Sequence, residues 1–270
     1  MKKLKVTILG CGSSGGVPRA DGEWGACNPN NPKNYRTRCS LLVEQFGADL
    51  TQPTRVLIDT SPDLRVQLLA AKVKKIDAVL FTHDHADQTH GIDDLRPIAF
   101  TNRKRIDAYI DASTSKTLLP KFAYVFHGHE RNNYPAILNH ITMPNISDSL
   151  TISGEGGDLV FEPLELVHGD ITSLGFRFGN VAYCNDTNFI PPATMDGLGG
   201  LDLLIVDCLR YTNHPSHAHF DQTIGWISEL KPKHAILTNL HLDLDYDELA
   251  ARLPVNAEPA YDMLSWEKEL

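Results

Sequence analysis

One segment restricts the fold more than any other. DAVLFTHDHADQTHG (77–91) passes from an apolar, strand-like stretch straight into three histidines and two aspartates. A chain that buries the first half must end a strand at the second, with a polar cluster at the strand's tip. Residues two apart on extended backbone point to one side, so His83, His85 and Asp87 can converge just past that tip. Imidazole nitrogen and carboxylate oxygen are ligands that zinc, manganese and iron accept, at about 2.0–2.2 Å for zinc. A lone histidine would suit a surface loop. H-x-H-x-D between a strand and Gly91 points to a metal centre instead.

The rest of the chain supplies more strands of the same kind. LKVTILG (4–10), SLLVEQF (40–46), TRVLIDT (54–60), RIDAYID (105–111), LVFEPLELV (159–167), LGFRFGNVAYCND (174–186), LDLLIVDCL (201–209) and HAILTN (234–239) are mostly continuous in Val, Ile and Leu. That pattern suits strands buried on both faces. Helix-like stretches lie between some of them, at 61–73, 113–126, 221–231 and 245–253, with Asp63 and Asp221 placed for a first helical turn. The reading is an α/β sandwich in one domain spanning 1–270. Its most irregular part is expected at about 96–158.

Composition narrows the function. No apolar run approaches the roughly 20 residues that span a bilayer, and MKKLKVTILGCGSSGG reads as a first strand rather than a signal peptide. Five scattered cysteines fit reduced thiols, as in the cytoplasm, and Cys27 and Cys39 lack the C-x-x-C spacing of a structural zinc site. A net charge of −9, from 34 acidic and 25 basic residues, opposes extended nucleic acid as a partner. A small anionic substrate fits only beside a local positive centre such as a metal. A homodimer stays open. GCGSSG (10–15) satisfies G-x-G-x-x-G after a strand, but the Gly-, Pro- and Asn-rich run behind it cannot open the helix that a dinucleotide's pyrophosphate needs.

Thr82, His83, His85 and Asp87 match T-H-x-H-x-D-H, the signature of the metallo-beta-lactamase superfamily, and the resemblance runs in order along nearly the whole chain. It implies an αββα sandwich of two mixed sheets flanked by helices. It also implies two divalent metal ions, zinc or manganese, held by His83, His85, Asp87, His168 (LELVHGD), Asp186 (VAYCNDTN, bridging) and His241 (ILTNLHLDLDY). Asp59 in VLIDTSPDLR would hold a ligand histidine in place. The glycine-rich N-terminal run and HGIDDLRP (90–97) are similar to the PhnP-like phosphodiesterases, relatives of RNase Z that cleave small cyclic phosphodiesters. A water bridging two cations loses a proton near neutral pH and can attack phosphorus.

The resemblance fails at one ligand position. Gln88 stands where the pattern has histidine, which should weaken the second site. Either its carbonyl oxygen coordinates, or His90 compensates, or Asp87, Asp186 and His241 hold the second ion alone. In YTNHPSHAHFDQT (211–223), His217 is the histidine best placed to protonate a leaving oxygen, and His217 and Asp87 form the expected catalytic pair. His214 and His219 read as loop residues, FHGHE (126–130) as a surface loop, His140 and His234 as structural, and Arg96 as an ion-pair partner in DDLRP. The expected activity is metal-dependent hydrolysis of a small phosphodiester, a cyclic ribose phosphate or nucleotide-like ester. The alternatives are a lactone or thioester hydrolase, or a nucleotide- or metal-binding protein with vestigial activity.

Overall fold

The computed structural model describes residues 2–128, 134–146 and 148–270. The first half of the chain runs β1 (Lys3–Gly10), β2 (Ser40–Phe46), β3 (Thr54–Ile58), α1 (Leu64–Ala70), β4 (Ala78–Leu80), α2 (Ala86–Thr89), α3 (Arg96–Asn102), β5 (Ile106–Ile110), α4 (Ala112–Lys121), α5 (Ala123–His127) and β6 (Leu138–Thr142). The second runs β7 (Leu150–Gly154), β8 (Gly157–His168), β9 (Ile171–Phe178), β10 (Val181–Cys184), α6 (Pro192–Asp196), β11 (Leu203–Asp207), α7 (Phe220–Leu230), β12 (His234–Thr238), α8 (Tyr246–Arg252), β13 (Ala257–Pro259) and β14 (Ser265–Glu269).

Two mixed seven-stranded sheets result, in the orders β14-β1-β2-β3-β4-β5-β6 and β13-β12-β11-β10-β9-β8-β7. In the first, β14, β1, β2 and β3 pair antiparallel and β3 to β6 parallel. In the second, β7 to β10 are antiparallel and β10 to β13 parallel. The continuous apolar runs now have a reason. Successive side chains of a strand face opposite ways, and both faces of these sheets are covered. Val56, Ile58 and Leu80 enter the layer between the sheets with Phe161, Phe176 and Ile205. Leu57 and Val79, one residue over, pack under helices through Leu64, Leu68 and Leu118. In the second sheet Leu203 and Ile205 face inward, while Leu204 and Val206 meet Trp226, Ile227 and Leu249 of α7 and α8. Each such fully buried side chain contributes about 1.5–3 kcal/mol of transfer free energy. The four-layer αββα sandwich is the expected architecture.

The differences from the sequence reading are local. LGFRFGNVAYCND is two strands, because Gly179 adopts φ 60° and turns the chain back between β9 and β10. The segment 96–158, expected to be irregular, carries α3, β5, α4, α5, β6 and β7. Its helices are short and its strands alternate exposed and buried residues, so no long apolar run announces them. FHGHE falls at the end of α5, with His129 and Glu130 outside the described residues. No helix follows the glycine run at 10–16. Its backbone is instead tied down by Asp262, which accepts from Cys11 N at 3.2 Å and from Thr37 N at 2.8 Å. Among the described residues, no helix is long and apolar enough to cross a membrane.

The C-terminal ends of β3, β4, β8, β10, β11 and β12 gather at one edge of the sandwich. Asp59, Asp186 and Asn239, each just beyond such an end, have φ of 62°, 48° and 61°. Asp and Asn tolerate this left-handed region better than other side chains, at some cost in strain. The backbone therefore turns sharply as each strand stops, and these polar side chains are buried at the edge rather than continuing the pleat.

Candidate metal centre

Three imidazoles meet at that edge. His83 and His85 leave β4, and His168 ends β8, so the two sheets each contribute. Ring centroids are 4.5 Å apart for His83 and His85, and 5.1 Å for each of these with His168. His168 Nδ1 lies 2.6 Å from the Ser216 carbonyl, which only accepts, so Nδ1 carries the proton and Nε2 is the free lone pair. That Nε2 faces His85 Nδ1 at 3.3 Å. Two ligands at zinc distances in a tetrahedron stand about 3.3–3.4 Å apart. His83 Nδ1 is 2.9 Å from Thr82 Oγ1, while its Nε2 is buried with no partner. An orphaned buried acceptor beside two converging nitrogens fits a divalent cation, and His83, His85 and His168 could hold one.

The supports of this trio are equally specific. Asp59 accepts from Thr82 N and from Thr82 Oγ1, both at 2.8 Å. Asp59 thus holds His83 in place through Thr82. Burial pushes the Asp59 carboxyl up to about 8, with the two Thr82 bonds working against it. Burial also holds His83 well below the usual imidazole range, helped by its histidine neighbours, and takes His168 down to about 4. Neutral imidazoles are the form that binds metal.

Asp186 lies beside the trio, fully enclosed, and is surrounded by amides. Gln88 Nε2 donates to its Oδ2 at 2.9 Å, Asn185 Nδ2 to the same oxygen at 2.6 Å, and Asn239 Nδ2 to Oδ1 at 3.1 Å. Burial raises the Asp186 carboxyl well above the carboxylate range; His217 opposes this and Asp87 adds to it. Asp87, half-exposed, sits in the first turn of α2, with Gln88 Nε2 3.4 Å away. His217 Nδ1 bonds Asp207 Oδ2 at 2.9 Å and stands 3.7 Å from Asp186 Oδ1. Burial alone would hold His217 down. The Asp207 carboxylate, its hydrogen bond and Asp186 outweigh burial and lift it to about 9.

Not every sequence candidate joins the cluster. His241 Nε2 lies 2.6 Å from Arg19 Nη2, and its Nδ1 is 3.1 Å from Asp243 Oδ2. His90 caps the end of α2, is exposed and bonds Ala86 O, so it is no substitute for Gln88. His234 pairs with Glu258, and Arg96 with Asp93. Four residues that the sequence reading passed over take part: Arg19, Asn185, Asp207 and Asn239. Only Asp207 left a visible signal, a single acid closing the otherwise apolar strand LLIVD.

A cleft of about 540 Å³ opens beside Asp87, lined by Ser14, Gly15, Arg19, Arg38 and Ala86. Arg38 is anchored by Asp63 at 2.9 Å. Its charged lining sets Arg19 and Arg38 against Asp21 and Asp87, so the guanidinium groups offer an anion direct contacts without giving the cleft a net positive charge.

Gly91 fixes how α2 carries its ligands. Its N–H donates to Thr60 O at 2.9 Å, and a Cβ added there would lie 2.0 Å from Ser61 O and 2.9 Å from Leu64 Cβ. Gly91→Ala is expected to cost about 1–3 kcal/mol, a fall in Tm of roughly 2–4 °C per kcal/mol. A thermal melt matching the parent protein would show that α2 does not pack as described.

The comparisons with known proteins agree with this geometry. The family model of the beta-lactamase superfamily domain matches residues 54–239. A solved diphosphatase from the PhnP family is 34% identical, covers 100% of this chain and 99% of its own, and superposes with a TM-score of 0.87. The short form of human tRNase Z shares the fold at 15% identity, with a TM-score of 0.66 over 97% of this chain and 98% of its own. An octanoyltransferase from Porphyromonas gingivalis is 31% identical over 264 residues, which are 97% of this chain and 51% of that protein. The chain therefore spans about half the length of that curated relative. With the family model covering both histidine-bearing strand ends and Asp186, the chain belongs to the beta-lactamase superfamily, as a metal-dependent hydrolase of the metallo-beta-lactamase fold.

Proposed function

We propose that the chain hydrolyses a small phosphate ester of the phosphodiester or diphosphate type. The observation that carries this is His217. Asp207 accepts from its Nδ1 and raises the ring's affinity for a proton, which suits it to give a proton to an oxygen leaving from phosphorus. Thioester and activated-lactone cleavage have less need of a strong proton donor. Arg19 and Arg38 line the cleft as guanidinium donors for an anionic ester, and the diphosphatase of the PhnP family, at 34% identity, supports the same class.

A divalent cation, zinc or manganese, on His83, His85 and His168 would supply a positive centre and a water acidified to about pKa 7. The chain's own residues do the rest. Thr82 and Ser216 orient His83 and His168. Three amides hold the Asp186 carboxylate in one rotamer beside the trio, where it can orient the attacking water. Asp87, at the boundary of site and cleft, completes the acidic side. His217 donates the proton. In this reading residues 1–270 act as one catalytic domain on a small substrate, without extended nucleic acid.

The second reading is a thioester hydrolase, kept open by the octanoyltransferase name of a relative about twice as long. Turnover of bis(p-nitrophenyl) phosphate, a dinucleoside diphosphate and an octanoyl thioester, each with added zinc or manganese, separates the two. Phosphate-ester turnover exceeding thioester turnover by at least tenfold is expected. The reverse order overturns the proposal. Full metal loading with no turnover of any of the three makes the chain a binding protein.

A further inference from the structure

We propose that protein groups occupy the second cation position of this site: the Gln88 amide on Asp186 and the Arg19 guanidinium on His241. The chain then holds a single metal ion, on His83, His85 and His168. This rests on the metal-dependent reading above, but not on which ester is cleaved.

A second cation needs free lone pairs on Asp186 and His241, the residues that the family pattern offers it. Neither is free. Asp186 Oδ2 receives Gln88 Nε2 at 2.9 Å and Asn185 Nδ2 at 2.6 Å. His241 Nε2 receives Arg19 Nη2 at 2.6 Å. A guanidinium has no acceptor and does not lose its proton, so the His241 lone pair is spent on it. With Nε2 accepting, the hydrogen of the neutral ring falls to Nδ1, which stands 3.1 Å from Asp243 Oδ2 without a hydrogen bond to it.

Gln88 is fully enclosed, and it turns its donor end toward the carboxylates, 2.9 Å from Asp186 and 3.4 Å from Asp87. Its Oε1 is buried without a partner. Offering Oε1 to a cation instead would break the bond to Asp186 and set two oxygens against each other. In this pose the amide meets the Asp186 carboxylate with its donor end, standing on that face where a cation would. Charge tells the same story. A second dication would answer Asp87 and Asp186, whereas here a permanent monocation, Arg19, stands at the same side of the site and lines the cleft. Gln88 and Arg19 lie 69 residues apart in the chain, on unrelated elements, yet each blocks one ligand of the same position.

The test is metal content per chain by elemental analysis, after saturating zinc and again after manganese, followed by dialysis. It covers the parent protein, Gln88→His, Arg19→Met and the double variant, each with a thermal melt to show that it is folded. One equivalent in the parent and two in the double variant are expected. Two equivalents in the parent overturn the proposal outright, as does none. One equivalent in a folded double variant shows that these residues do not exclude the second ion, and also overturns it. Should the double variant unfold, calorimetric zinc titration of the parent and the single variants decides, with a new second binding step expected in Gln88→His. A count of one with no phosphate-ester turnover leaves this inference standing and removes the one before it.

Discussion

Replacing His83 with alanine will strip the protein of bound metal and take hydrolysis to the background rate. His83 is the one member of the trio with a buried nitrogen that has no protein partner at all, and only 2% of its surface is exposed. Its other nitrogen is fixed through Thr82 to Asp59, so the orphaned Nε2 is aimed, not merely present. Losing the hydrogen-bond partner behind a ligand costs roughly 10–100-fold in metal affinity, and losing the ligand itself makes that figure a floor. Thr82→Val should show the milder loss, because it removes the hydroxyl relay but leaves the ring. Zinc titration with a competing chelator measures both. A His83→Ala protein that still titrates with the parent's affinity would sink the assignment of the trio, whatever its activity.

These expectations show which parts of the site are legible in the sequence. H-x-H is readable because its residues are neighbours and the strand before them is apolar, whereas Asp87 falls in the first turn of α2, where strand alternation no longer sets its direction. The sandwich is readable for a similar reason: runs such as SLLV and LLIV demand cover on both faces, and only stacked sheets with outer helices provide it. β14, SWEKE, escapes because an edge strand with alternating charges has no such demand. The rest of the site is long-range. Arg19 and His241 are 222 residues apart, and nothing near either hints at the other. Gln88 is visible as a departure, but the direction of its amide is decided by Asp186, which the sequence places 98 residues away. The left-handed backbone at Asp59, Asp186 and Asn239 is likewise a product of strand ends meeting, not of local propensity. Positions follow from pattern; which atom faces which partner follows from packing.

His217→Ala should lower kcat by about 10²–10⁴-fold, the range for losing a positioned general acid, while metal content stays at the parent's value. His217 is not needed to hold the trio: His168 is oriented by the Ser216 backbone, and His83 by Thr82. In the proposed reaction His217 adds a proton, with Asp207 2.9 Å from its Nδ1 favouring the protonated ring. The size of the loss must therefore depend on the leaving group. Nitrophenolate departs readily without protonation, so bis(p-nitrophenyl) phosphate should lose least. A nucleoside or sugar alkoxide needs the proton, so its esters should lose most. A residue that merely shapes the pocket would depress both substrates equally. Equal losses, with metal intact, would return His217 to a structural role and leave the leaving oxygen to be protonated by water. Asp207→Asn offers the independent check. It keeps the shape of the pair but removes the carboxylate that lifts His217 to about 9, so the alkoxide ester should again suffer more than the nitrophenyl one.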